Sequence, residues 1–236
     1  MKKILVILGH PRKDSLCGAL AAAYAEAARA AGAELRELTL ADLAFDPVLH
    51  TGYGGEQPLE PDLAAAQQAI LWADHLAFVY PTWWGGLPAL LKGFVDRVFL
   101  PGFAFKYRKD SPWWDRLLTG RSARLLVTMD TPPWYYRWVY RMPGHNQMRR
   151  TILEYCGIRP VRISQFGRVK GSPATQRAMW LEAARRSPAY RMAIDWKIAF
   201  PLHPEYRTLP MVWYVPPLSP ITSAASAGKI GFDGEM

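Results

Sequence analysis

Over residues 1–186 the chain alternates apolar runs with helical segments in a repeating strand–helix rhythm. Lys3–Leu8 is nearly all aliphatic, the pattern of a strand buried on both faces of a parallel sheet. Ser15 is placed to cap a following Ala-rich helix, Leu16–Ala31, which Gly32 stops. Further strands are expected at Glu34–Leu40, His75–Tyr80, Arg124–Thr128 and Val161–Phe166. Helices are expected at Asp62–Ala73, Ala89–Phe99, around His145–Tyr155 and at Pro173–Arg186. This rhythm predicts an α/β fold with a doubly wound parallel sheet and right-handed crossovers. Ligands in such sheets bind outside the carboxyl ends of the strands. The loops after the first, third and fourth strands are therefore the ones to inspect.

Composition divides the chain in two. The formal net charge of +9 belongs entirely to residues 1–186, where 25 basic residues face 16 acidic ones. The last fifty residues are neutral and hold seven of the twenty prolines, so they carry no strand–helix rhythm. Cys17 and Cys156 are the only cysteines, which excludes a disulfide scaffold, a Cys-rich zinc site and a four-cysteine iron–sulfur cluster within the chain. The apolar run after Lys2-Lys3 is too short for a secretion signal. The stretch Leu76–Leu91 is broken by Pro81, Gly85, Gly86 and Pro88, so it cannot span a bilayer. The expected location is the cytoplasm.

The loop Gly9–Ser15 leads from a buried strand into a helix N-terminus, which suits a phosphate. His10, Arg12, Lys13 and Ser15 add donors there. It lacks the glycines of a Walker A loop or a dinucleotide fingerprint. Cys17 sits near the same helix start, where a thiol pKa tends to fall, but a small packing residue is the expected role for it rather than a redox switch. After the third strand comes Tyr80-Pro81-Thr82-Trp83-Trp84-Gly85-Gly86-Leu87-Pro88. Its indoles can wall a planar tricyclic ring, and its glycines let backbone N–H groups approach the ring edge. A hydrophobic plug or a dimer contact is the competing reading.

The segment from Phe78 through Phe99, continued by Gly102-Phe103-Ala104-Phe105, resembles the central motif of the NAD(P)H:quinone oxidoreductase branch of the flavodoxin-like superfamily. Gly9-His10-Pro11 with Ser15, Phe45-Asp46-Pro47, and Ile152–Ile158 resemble further motifs of that family in order. The resemblance covers residues 1 to about 186. It implies a flavodoxin-like five-stranded parallel sheet in the order 2-1-3-4-5. It also implies a flavin, FMN or alternatively FAD, with NAD(P)H as co-substrate and a quinone-type acceptor reduced by two-electron ping-pong hydride transfer. By position, the cofactor-binding residues are His10, Ser15, Leu16, Cys17, Pro81, Thr82, Trp83, Trp84 and Gly85, with Thr128 and Asp130 in the loop after the fourth strand. Trp134, Tyr135 and His145 are expected at the substrate pocket, and no metal is needed. Homodimers are common among the relatives. An ancillary regulatory subunit of a potassium efflux transporter is the alternative within the same resemblance.

From Lys106 to Arg150 ten basic residues stand against three acidic ones, interleaved with tryptophans and tyrosines. No nucleic-acid motif accompanies them, so Trp134–Arg141 is expected at the site mouth, with peripheral contact to the inner face of a membrane as one option. A basic surface with its aromatics in a dimer interface is the other. Residues 195–221 resemble a segment of the respiratory nitrate reductase beta subunit, without that subunit's cluster cysteines. The expected organisation is a flavin-binding domain over 1–186 and an irregular, Pro-rich fusion fragment over 187–236.

Overall fold

The computed structural model describes residues 1–187. From residue 188 on, the expectations for the Pro-rich segment lie outside the described residues.

Five parallel strands form one sheet in the order β2-β1-β3-β6-β7. These are β1 (Lys3–Leu8), β2 (Glu34–Thr39), β3 (His75–Pro81), β6 (Ser122–Met129) and β7 (Val161–Gly167). Counted among sheet strands alone, this is the expected order 2-1-3-4-5. The chain steps from β1 outward to β2 and returns across β1 to β3, which places the switch point between β1 and β3.

The continuous apolar runs are explained by burial on both faces. On one face, Ile4, Val6, Leu8, Ala77, Val79 and Leu126 pack on Leu20, Tyr24 and Ala28 of α1 (Leu16–Ala30) and on α6 (Ala174–Arg186). On the other, Leu5, Ile7, Phe78, Tyr80, Leu125 and Val127 meet Leu63 and Ile70 of α2 (Pro61–Trp72) and Leu91 and Phe94 of α3 (Ala89–Val98). Successive residues of one strand thus serve opposite layers, as strand geometry requires.

Three features depart from the sequence expectation. A two-stranded antiparallel hairpin, β4 (Phe105–Tyr107) with β5 (Trp114–Arg116), precedes β6. A short helix, α4 (Pro133–Trp138), follows β6. The helix expected around His145–Tyr155 is instead α5 (Pro143–Asn146) running into a π-helix, Gln147–Leu153. Its wider turn includes Glu154 N–H donating to Arg149 O. That turn puts Arg149 and Glu154, five residues apart, 2.8 Å from each other as an ion pair.

Candidate functional site

The carboxyl ends of β1, β3 and β6 are tied together by short contacts. Gly9 N–H donates to Val79 O at 2.8 Å, and Thr82 N–H donates to Thr128 O at 2.7 Å. The His10 and Trp83 rings meet edge-on with centroids 5.7 Å apart. The loops after the first and third sheet strands therefore share one edge.

What the first loop can offer an anion is its backbone more than its cations. Ser15 caps α1: its Oγ accepts from Gly18 N–H at 3.2 Å and donates to Arg12 O at 2.9 Å. The amides of Leu16 and Cys17 are left without a hydrogen-bond partner among the described residues, as the first turn of a helix dictates. His10 Nδ1 accepts from Arg12 N–H at 2.9 Å, which leaves the Nε2 proton of the neutral ring as a donor. Arg12 and Lys13, expected as donors, are paired with Asp14 and Asp42.

Cys17 and Thr128 form the floor. Both are buried, with Cys17 Sγ 3.2 Å from Thr128 Oγ1. Burial pushes the Cys17 thiol up to about 11, against the downward helix-end tendency. Its side chain is thus a packing residue, and only its amide is offered to a ligand. Asp130 is exposed, and its Oδ1 accepts Lys170 N–H at 2.7 Å.

The second loop is a tight turn. Trp83 and Gly86 exchange backbone hydrogen bonds of 3.2 and 2.9 Å. Both residues between them have positive φ, 51° at Trp84 and 74° at Gly85, as a type I′ turn requires. Trp84 is the costly member, because a tryptophan rarely enters the left-handed region. Its indole is fully solvent-exposed, and the amides of Trp84 and Gly85 have no partner among the described residues. Pro81 ends β3 and is buried; Thr82 follows it.

What holds this turn is Tyr136, a residue the sequence did not single out. Its buried hydroxyl donates to Gly85 O at 2.9 Å and accepts from Gly144 N–H at 3.0 Å. Gly144 N–H also reaches Gly85 O at 2.9 Å. A Cβ on Gly144 would lie 2.8 Å from that oxygen and 3.1 Å from the Tyr136 hydroxyl, so only glycine allows the contact. Trp134 is exposed and lies edge-on to Tyr135, which in turn is edge-on to Tyr140.

His145, expected at the substrate pocket, is instead buried against Tyr136 at a ring-centroid distance of 4.9 Å. Neither ring nitrogen has a partner among the described residues, and burial pushes its pKa down to about 4. The neutral ring is therefore the folded form. The unfolded ring titrates near 6.5, so its contribution is full above that pH and falls as pH drops through 6.5 towards 4. The loss from this one group is about 3 kcal/mol at the acid limit. Thermal melts at pH 7 and 4.5 should show His145→Phe losing much less stability on acidification than the parent. Equal losses would remove His145 as a cause.

A separate cleft of about 270 Å³ opens among Tyr53, Lys92, Asp96, Tyr107, Thr151 and Cys156. No residue of the two loops lines it, so it is not the site described above.

The family comparison decides the lineage. A family model described as the flavodoxin-like fold matches residues 2–187. The chain belongs to that family. A solved NAD(P)H:quinone oxidoreductase from Methanothermobacter marburgensis superposes with a TM-score of 0.67 at 24% identity, covering 79% of this chain and 97% of that one. NAD(P)H dehydrogenase (quinone) 1 of Cavia porcellus is 34% identical over 127 residues, which are 45% of this chain and 46% of the relative. In the C-terminal region, 54 residues are 72% identical to the respiratory nitrate reductase 1 beta chain of Escherichia coli; they are 23% of this chain and 10% of that one. The chain thus spans about half of the quinone dehydrogenase and a tenth of the nitrate reductase subunit.

Proposed function

We propose that residues 1–187 form a flavin-dependent NAD(P)H oxidoreductase that reduces quinone-type acceptors, with FMN as the flavin. The observation that carries this reading is the pairing of two sets of unpartnered amides on one sheet edge. Leu16 and Cys17 offer theirs at the N-terminus of α1, and Trp84 and Gly85 offer theirs in the turn after β3. The first pair suits a phosphate. The second suits negative charge on the edge of a planar ring, presented from a fixed turn. The likeness to quinone reductases, by sequence and by fold, supports the same assignment.

A bound flavin supplies the redox chemistry, carrying a hydride from NAD(P)H to the acceptor so that NAD(P)H, a proton and a quinone become NAD(P)⁺ and a hydroquinone. The protein's part is placement. His10 donates from Nε2 beside Trp83, and the α1 amides anchor the phosphate. Tyr136 and Gly144 fix the Trp83–Gly86 turn so that its amides need not reorganise. Trp84 and Trp134 stand exposed at the rim, where a nicotinamide and then a quinone can stack in turn. Such alternation gives ping-pong kinetics. FMN is preferred over FAD because the anion site is a single helix start and no adenine site is recognisable beside it among the described residues.

Reconstitution with FMN or FAD tests the reading. The expected result is a yellow protein that NADH or NADPH bleaches without oxygen and that a soluble benzoquinone re-oxidises, with parallel double-reciprocal plots. A protein that takes up neither flavin would overturn the proposal. A protein that binds FMN yet passes no electrons to quinone would favour the regulatory alternative.

A further inference from the structure

Five consecutive residues, Arg137-Trp138-Val139-Tyr140-Arg141, are exposed at the end of α4. Trp138 is 71% exposed, Val139 52% and Tyr140 51%, although side chains this apolar are normally withdrawn from water. An arginine stands at each end of the apolar triplet. The Arg137 guanidinium lies 5.2 Å from the Trp138 ring, so charge and indole face solvent together. Among the described residues neither Arg137 nor Arg141 forms an ion pair. No carboxylate occurs between Asp130 and Glu154.

The segment is rigidly placed. Tyr136, the residue before it, is fully buried and bonded to the turn after β3. On its other side, Arg141 and Met142 both adopt positive φ, 58° and 53°, and so turn the chain sharply into α5 without a glycine. The first turn of α4 packs closely on the end of β7, since a Cβ on Gly167 would lie 2.4 Å from Pro133 Cγ. The loop beyond β7 adds exposed Arg168 and Lys170 to the same carboxyl edge. Asp130, the carboxylate next to α4, is held by Lys170 N–H.

We infer that this edge docks on an anionic lipid bilayer, with Trp138, Val139 and Tyr140 at the headgroup boundary and Arg137 and Arg141 on lipid phosphates. Tryptophan and tyrosine prefer that interface, and arginine beside them supplies the attraction to anionic lipid. An acidic protein would meet the arginines but leave three apolar side chains unexplained. The inference does not depend on flavin chemistry. It adds to the functional reading a route by which a lipid-dissolved acceptor meets Trp84 and Trp134 without crossing water.

Sedimentation of the full chain with vesicles tests it. Phosphatidylglycerol/phosphatidylethanolamine vesicles should pellet the protein, and phosphatidylcholine vesicles should not. Binding should weaken between 0.1 and 0.5 M KCl, as for any screened surface attraction. Arg137→Gln/Arg141→Gln should partition roughly thirtyfold more weakly, at about fivefold per basic residue removed. Trp138→Ser/Val139→Ser should also release the protein. All four side chains are exposed, so these substitutions spare the core, and the lipid and salt dependence of the parent decides independently of any variant. No binding, equal binding to phosphatidylcholine, or parent-like binding by either variant overturns the inference. Arginine-dependent retention on single-stranded RNA with no vesicle binding would assign the surface to a nucleic acid instead.

Discussion

Arg97→Ala should lower the stability of the flavodoxin-like unit by about 3 kcal/mol, the low end for breaking a buried ion pair by removing one partner. Arg97 projects from α3 and is completely buried. Its two terminal nitrogens grip Glu60 at 3.1 and 2.8 Å and also donate to the carbonyls of Asp46 and Pro58. One guanidinium thereby gathers both ends of the long loop between β2 and α2. Truncation strands a carboxylate and two carbonyls beneath that loop. Glu60 keeps 28% exposure, so water relieves part of the penalty, and the low end of the range applies. A domain of this size should then melt roughly 6–12 °C lower. Arg97→Lys should recover little, because a point charge cannot reach four acceptors that a planar fork reaches together. A melting temperature within 2 °C of the parent would show that the loop is held by something else. Packing of Gly93 against Pro47 is the obvious candidate, since a Cβ there would lie 2.4 Å from the proline Cβ.

The parts of this fold that sequence reveals are those whose physics is local or periodic. The strands β1, β3 and β6 show because both faces are buried, so nearly every residue must be apolar. Helix α1 shows at both ends because Ser15 caps it and Gly32, at φ 80°, releases it. The hairpin of β4 and β5 is hidden, since three-residue strands with charged members are too short to display a period. The π-helix is hidden for a different reason: its apolar spacing differs little from that of an α-helix over seven residues. In the candidate site, the Trp-Trp-Gly-Gly run marks the loop between β3 and α3, yet not its conformation. A positive φ at Trp84 has no local cause, and the hydroxyl that fixes the turn belongs to Tyr136, 51 residues away from Gly85. His145 carries the same lesson in reverse. The family resemblance sets it at the substrate pocket, and only packing shows that it lies buried against Tyr136.

On the proposed FMN reading, Gly18→Ala should abolish the preference for FMN over riboflavin. Alanine is the better helix former by about 1 kcal/mol, so propensity alone predicts a gain. Geometry predicts the opposite. A Cβ on Gly18 would fall 1.8 Å from the Lys13 carbonyl oxygen, in space that the backbone of the first loop already occupies. No side-chain rotation removes that clash, so the loop must lift. Lifting it breaks the Ser15 cap on Gly18 N–H and moves His10 away from Trp83. The unpartnered amides of Leu16 and Cys17 then no longer face the position that His10 addresses. Two charge-assisted hydrogen bonds to a phosphate, each of about 1.5–3 kcal/mol, correspond to roughly a hundredfold or more in affinity. Riboflavin has no phosphate and on the same reading depends on the Trp83–Gly86 turn, which Tyr136 and Gly144 hold. Fluorescence titration of both flavins should therefore show FMN affinity falling by about that factor while riboflavin affinity changes little. An unaltered FMN-to-riboflavin ratio would mean that the phosphate does not sit on α1, and the anion site would have to be sought at another edge of the sheet. A parallel fall in both affinities would instead show that the two loops act as one unit, coupled through the 5.7 Å contact of His10 with Trp83.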